Sequence, residues 1–122
     1  MNQDVIDLPE VLERVQQDRD LLLELLDIFL NDCPSKIKAI HEAVKTKDFE
    51  KLKEVSHSMK GASGNISAKR INAAFLAIEQ KAKTPTLEGL NGILQELDGH
   101  INDLRSYSLR LKEEFKKSEP SG

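Results

Sequence analysis

The residues best suited to chemistry lie in one short segment, His57-Ser58-Met59-Lys60-Gly61-Ala62-Ser63-Gly64-Asn65-Ile66. If this segment is helical, each residue advances by ~100°, and the inward-facing positions fall between about 140° and 240° from His57. Those positions are Leu52, Val55, Met59, Ala62, Ser63 and Ile66. His57 is therefore predicted to point away from the core, where a neutral imidazole can act as a nucleophile at neutral pH.

Several residues are predicted to share the outward side of this helix with His57. A glycine within a helix destabilises that helix by about 1 kcal/mol relative to alanine, so the presence of Gly61 and Gly64 suggests a specific role. Backbone without side chains beside the imidazole would let another protein approach closely. Lys60, at i+3, would place a positive charge where a phosphoryl group on the imidazole would lie. The predicted docking surface consists of Gly61, Gly64, Lys53, Glu54 and Ala68, the last on the assumption that the helical phase continues that far.

Charge and composition argue against several classes of partner. Eighteen basic and twenty-one acidic residues give a net charge of −3, which disfavours binding to nucleic acid or to an anionic membrane. No apolar stretch approaches the ~20 residues of a membrane span and residues 1–4 lack the cationic start of a signal peptide, so we expect a cytoplasmic location. The single cysteine, Cys33, excludes an internal disulfide and zinc sites built on paired thiolates. We expect a monomer without a metal or cofactor of its own, and a buried Cys33 that serves as a small apolar residue.

Apolar side chains recur at steps of three and four residues, and no segment alternates with the period of two that marks a strand. The pattern predicts an all-α fold: an antiparallel up-down four-helix bundle over residues 1–115, with a short additional N-terminal helix closing one end. Residues 116–122 have no apolar anchor and are expected to form a disordered tail. Met1 and the complete bundle favour a self-sufficient unit over an excised domain.

The predicted helix boundaries depend on caps and prolines. The second helix is expected to begin near Asp18 to Asp20 and to continue through Pro34 as one kinked helix, because the apolar stripe extends on both sides of the proline. Asp48 is predicted to cap the helix that carries the histidine, and Ser67 is predicted to cap the next one. Pro85 suits the first turn of the last helix.

The histidine segment, taken with two positions downstream, resembles a known family. The run His57-x-x-Lys60-Gly61-x-x-Gly64-Asn65-Ile66, followed by Ile71 and by the Ile78-Glu79 pair, closely resembles histidine-containing phosphotransfer (HPt) domains of bacterial multistep phosphorelays. The likeness covers nearly the whole chain, including the histidine helix and the closing helix. Met59 and Ser67 depart from the family pattern, which more often has Leu and Gly or Ala at these positions.

The resemblance implies a phosphocarrier. His57 would accept a phosphoryl group from an aspartyl phosphate on one response-regulator receiver domain and pass it to the aspartate of another, within a pathway that starts at a sensor histidine kinase, often a hybrid one. The receiver would supply Mg²⁺, and this chain, which shows no nucleotide-binding loop, would have no kinase activity of its own. The resemblance also implies that Glu79 hydrogen-bonds the second imidazole nitrogen, with Gln80 as the alternative if the helical phase differs by one residue.

Two other functions remain compatible with the sequence. The chain could be an interaction module whose histidine face docks a receiver domain or another partner without carrying phosphate. It could also be the dimerisation segment of a histidine kinase, although such segments usually have an acidic residue where this chain has Ser58. His41 and His100 border apolar stripes and are expected to be structural, because the three histidines lack the i,i+3 or i,i+4 spacing of metal-binding bundles.

Overall fold

The computed structural model describes residues 5–118, and within that range it contains helices and no strand. The helices are α1 (Leu8–Arg14), α2 (Arg19–Thr46), α3 (Phe49–Asn65), α4 (Lys69–Lys83) and α5 (Leu90–Ser118). α3 packs most extensively against α4, and α2 and α5 complete the bundle. The all-α class and the four-helix bundle with a short N-terminal helix, predicted from the apolar spacing, are confirmed.

The core is built from the inward stripes of the four long helices. Its largest fully buried side chains include Leu22, Leu26, Ile40, Leu52, Met59, Ile71, Phe75, Ile78, Leu90, Leu97 and Leu104. Burying one such side chain contributes about 1.5–3 kcal/mol, so these stripes account for the packing of the helices against one another. α2 runs unbroken past Pro34, as predicted. In its apolar stretch, Leu21 and Ile28 stay exposed.

Aspartates begin three of the helices. The side chains of Asp7, Asp18 and Asp48 accept hydrogen bonds from backbone N–H groups three residues later, at 3.0–3.1 Å. Each bond satisfies an N–H group that has no partner within the helix, and such a cap typically stabilises a helix by about 1 kcal/mol. The predicted cap at Asp48 is therefore confirmed, and it fixes where the histidine helix starts.

The turn between α3 and α4 differs from the prediction. The N-cap of α4 is Ala68, not Ser67, and no side chain caps this helix. Ser67 instead has a left-handed backbone (φ 56°), and its hydroxyl donates to Glu10 Oε1 at 2.6 Å. Arg14 Nη1 donates to the carbonyls of Gly64 and Asn65 at 3.0 and 2.8 Å. Contacts from α1 thus occupy the serine and close the C-terminal end of α3.

The last helix begins later and ends later than predicted. Residues 84–89 form a turn, in which Thr86 N–H donates to the carbonyl of Lys81 and Gly89 has a φ of 75°, so Pro85 lies outside α5. At the other end α5 continues to Ser118, whose hydroxyl accepts from Arg19 at 2.6 Å. The prediction of disorder is therefore wrong for residues 116–118, and the rest of the predicted tail, 119–122, lies outside the described residues.

Candidate functional site

His57 lies on the outward side of α3. Its side chain is 68% exposed. Leu52, Val55 and Met59 on the same helix are buried, so the apolar stripe of α3 turns the imidazole toward solvent, as the helical phase predicts.

Glu79 reaches His57 from α4. Its side chain is only 3% exposed, and its Oε2 lies 2.7 Å from His57 Nδ1. An ionised carboxylate can only accept hydrogen bonds, so in the neutral imidazole Nδ1 carries the proton and Nε2 keeps its lone pair. The structure thus brings together the two residues that the resemblance paired, and it gives the imidazole the tautomer that a nucleophilic Nε2 requires.

Lys60 binds the other oxygen of the same carboxylate. Its Nζ donates to Glu79 Oε1 at 2.8 Å, and its side chain is 29% exposed. This hydrogen bond holds the pKa of the Glu79 carboxyl below its usual value; burial opposes the shift and the bond from His57 supports it. Glu79 therefore stays ionised at neutral pH, and Lys60 balances its charge next to the ring.

The ion pair of Lys60 with Glu79 was not predicted from the sequence. The predicted contact of Lys60 with a phosphoryl group on His57 stays a prediction, and in the structure the ammonium pairs with the same Glu79 carboxylate that contacts the imidazole. The spacing of Lys60 on α3 shows only which side of that helix it occupies. The basic group and the acidic group lie nineteen residues apart on different helices, so the pairing depends on how α4 packs against α3.

The two glycines have different surroundings. Gly61 is exposed, and a Cβ at this position would meet no atom of residues 5–118 within 4 Å beyond its own helix and chain neighbours. At Gly64, which is half-buried, a Cβ would lie 3.5 Å from Asn72 Nδ2, an ordinary contact distance. The surface beside His57 is therefore unobstructed at Gly61, whereas Gly64 faces the side chain of Asn72 on α4.

The remaining predicted docking residues differ in their exposure to solvent. Glu54 is exposed, and Lys53 pairs with Glu50 at 3.4 Å on the surface of α3. Ala68 is 0% exposed, so its prediction as a docking residue is wrong. The helix ends at Asn65, and the chain turns back with the N–H of Ala68 bonded to the carbonyl of Ser63 at 3.0 Å, which points the alanine into the core.

Other chemistry-bearing side chains lie away from this site. His41 is exposed on α2, and His100 lines a crevice between α4 and α5. Among residues 5–118, no three His, Cys, Asp or Glu side chains are grouped so as to hold a metal ion. Cys33 is buried as predicted, and burial raises the pKa of its thiol to about 11. None of the helices in that range is long and apolar enough to cross a membrane.

Comparisons with known proteins show which family and which relatives this chain resembles. The model of the Hpt domain family matches residues 24–107, which contain the whole of the His57, Lys60 and Glu79 cluster. The chain is 33% identical over 89 residues to the phosphorelay protein LuxU of Vibrio harveyi, an alignment that covers 72% of this chain and 78% of LuxU. It is 28% identical over 100 residues to histidine-containing phosphotransfer protein 2 of Arabidopsis thaliana, covering 78% of this chain and 64% of that protein.

One solved structure shows the same fold. The crystal structure of histidine-containing phosphotransfer protein B (HptB) from Pseudomonas aeruginosa PAO1 superposes with a TM-score of 0.72 at 22% sequence identity. The match covers 90% of this chain and 94% of that one.

Proposed function

Because this chain belongs to the Hpt domain family, we propose that His57 accepts a phosphoryl group from an aspartate of one receiver domain and passes it to an aspartate of another, in the cytoplasm. Membership of this family supports a role in histidine phosphotransfer within a phosphorelay. The observation that most directly supports phosphoryl transfer through His57 is the 2.7 Å contact of Glu79 Oε2 with His57 Nδ1. It leaves Nε2 unprotonated on an exposed ring, ready to attack phosphorus.

The chemistry of the transfer follows from that tautomer. The lone pair of Nε2 forms a bond to phosphorus, and the bond from phosphorus to the aspartate oxygen breaks with its electron pair leaving on the carboxylate. No base has to remove a proton from Nε2. Since Nδ1 keeps its proton, the imidazole ring gains positive charge as the N–P bond forms, and the Glu79 carboxylate at 2.7 Å stabilises that charge. The same imidazolium is a good leaving group for transfer to the next aspartate.

Lys60 limits the electrostatic cost of phosphorylation. A phosphoryl group on Nε2 brings about two negative charges close to a carboxylate that is already ionised. The ammonium of Lys60, 2.8 Å from Glu79 Oε1, balances the charge of that carboxylate, and we expect it to attract the phosphoryl oxygens as well. We expect the partner receiver to hold the Mg²⁺ and to orient its aspartate. This chain would then supply a nucleophile in a fixed geometry, without kinase activity of its own.

The proposed docking surface surrounds the imidazole on α3 and α4. Gly61 provides open backbone one turn after His57, and Glu54 provides a charged edge one turn before it. On α4, Leu76 is 40% exposed and lies three residues before Glu79, a spacing that makes the two residues neighbours on the helix surface. A receiver domain placed over Gly61 would cover both the ring and this leucine.

The decisive experiment is transfer from a purified receiver domain carrying a radiolabelled aspartyl phosphate. We expect label on this chain that survives base and is lost in acid, absent in His57→Gln and retained in the control His41→Gln, which removes another exposed histidine. Return of the label to a second, unphosphorylated receiver would establish the carrier role. Label that persists in His57→Gln would place the modification elsewhere. Binding of receivers without labelling would favour an interaction module that never carries phosphate.

A further inference from the structure

A second polar side chain, besides Glu79, joins α4 to α3. Asn72 Nδ2 donates to the backbone carbonyl of Lys60 at 2.7 Å, and the asparagine is half-buried between the two helices. The same carbonyl also accepts from Ser63 Oγ at 3.0 Å. Lys60 is therefore held by α4 at both ends, at its main chain by Asn72 and at its ammonium by Glu79.

Gly64 provides the space for this contact. A Cβ at Gly64 would lie 3.5 Å from Asn72 Nδ2, so the amide rests on the glycine with no side chain between. A small methyl would still fit at that distance, but a longer side chain would have to displace Asn72 or leave the interface. Gly64 therefore allows α4 to pack closely against α3, whereas no side chain from α4 lies within 4 Å of a Cβ built at Gly61.

Directional contacts decide the axial register of two packed helices. Apolar packing between α3 and α4 is not directional, and it tolerates small shifts along the helix axes. A hydrogen bond weakens steeply when its distance or angle changes. Asn72 and Glu79 are seven residues apart, two turns on the same side of α4 and about 10 Å along its axis. A shift that breaks the contact of Asn72 therefore also moves the carboxylate away from His57.

We propose that Asn72 is a positioning residue, which fixes the register of α4 on α3 and thereby holds the Glu79 carboxylate on His57 Nδ1. Its effect on phosphoryl transfer rests on the proposed function. Its effect on the imidazole does not, because the tautomer of His57 can be measured in the unmodified protein.

The first test compares Asn72→Ala with Gln80→Ala, an exposed neighbour on α4. Nitrogen NMR shifts of the His57 ring report the fraction of the Nδ1–H tautomer. We expect that fraction to fall in Asn72→Ala and to stay at the wild-type value in Gln80→Ala. Both changes introduce a better helix former, so the bundle should remain folded, and urea unfolding checks this. An unchanged tautomer in a folded Asn72→Ala protein would overturn the proposal.

A double-mutant comparison tests whether Asn72 acts through Glu79. In a Glu79→Ala background, Asn72→Ala should produce no additional change of the tautomer, because the group that it positions is gone. A further change of the same size in that background would show that Asn72 acts on His57 by another route, and would contradict the assignment.

The transfer assay provides the functional measurement. Losing one hydrogen bond of ordinary net strength should slow transfer to His57 roughly three- to tenfold in Asn72→Ala. A rate equal to that of Gln80→Ala would refute a positioning role in transfer. If even the wild-type protein takes no phosphoryl group, the proposed function fails, and the NMR comparison still decides the role of Asn72.

Discussion

Gly61 and Gly99 form a natural pair for separating docking from folding. Both are exposed glycines within helices, Gly61 in α3 and Gly99 in α5. At both positions a Cβ would have no atom of the described chain within 4 Å, apart from chain neighbours and its own helix. Alanine at either position therefore fills open space and loses no contact. Because glycine is about 1 kcal/mol less favourable than alanine in a helix, each substitution should raise the free energy of unfolding by about 0.5–1 kcal/mol.

The two positions should differ sharply in phosphoryl transfer. Gly61 is four residues after His57, so its α-carbon lies on the same side of α3 as the imidazole, with side chains at this spacing about 5–6 Å apart. A leucine at this position would push a docked receiver outward by more than 1 Å, and a misplacement of that size costs on the order of a hundredfold in rate. We expect Gly61→Leu to transfer on the order of a hundredfold more slowly, Gly61→Ala to be intermediate, and Gly99→Leu to match the wild type.

Two measurements on the same protein samples check this prediction. Single-turnover transfer from a phosphorylated receiver gives the rate, and urea unfolding followed by circular dichroism gives the stability. If Gly61→Leu transferred at the rate of Gly99→Leu, the partner would not pass over Gly61 and the proposed docking surface would be wrong. If Gly61→Ala were less stable than the wild type, the conclusion that a Cβ at this position meets open space would be wrong.

Three further predictions concern charge and stability. Lys60→Met should raise the pKa of the Glu79 carboxyl, which carboxyl NMR titration measures, and an unchanged pKa would contradict this. The same substitution should lower the free energy of unfolding by about 1–3 kcal/mol, because a buried carboxylate loses its main partner. Ser108→Ala should raise the free energy of unfolding by up to about 1 kcal/mol in urea titrations, because Ser108 Oγ is buried with no hydrogen-bond partner among the described residues. Hydrogen bonds from Ser67 and then from Lys69 hold the pKa of Glu10 at about 2, below its ordinary value of 4.5, so the stabilising effect of the ionised Glu10 carboxylate is complete above pH 4.5 and is lost as the pH falls toward 2. Glu10→Gln should therefore flatten the acid limb of the stability profile relative to a Glu13→Gln control, and equal profiles would refute the assignment.

The apolar stripes determined what could be predicted of the fold. Leu52, Val55 and Met59 recur at helical spacing and are all buried, so the direction of His57 followed from the helix phase alone. The cap at Asp48 followed from local chemistry, since its side chain bonds a backbone group only three residues away. Features set within one helix were therefore accessible from the sequence.

Features that depend on contacts between helices were not accessible in this way. The backbone of Ser67 turns left-handed where its hydroxyl bonds Glu10, fifty-seven residues earlier in the chain, and the next residue, Ala68, is buried. The start of α5 is delayed by a turn whose positive φ lies at Gly89. The ion pair of Lys60 depends likewise on the packing of α4. An open glycine is also a weak signal by itself, because Gly92 and Gly99 on α5 are equally unobstructed.

The division of the site between surface and interior would allow the α3–α4 pair to serve more than one partner in the proposed phosphorelay. The imidazole is 68% exposed, whereas the carboxylate that orients it is 3% exposed and is held by two donors from α3. A docking protein can therefore contact the nucleophile without touching the group that sets its tautomer. The hydrogen bond that sets the protonation of Nδ1 and Nε2 is present without a partner, so in the proposed transfer a receiver would only have to supply its aspartate and its metal in line with Nε2. Specificity can then vary with the exposed residues around Gly61, while the transfer chemistry stays the same.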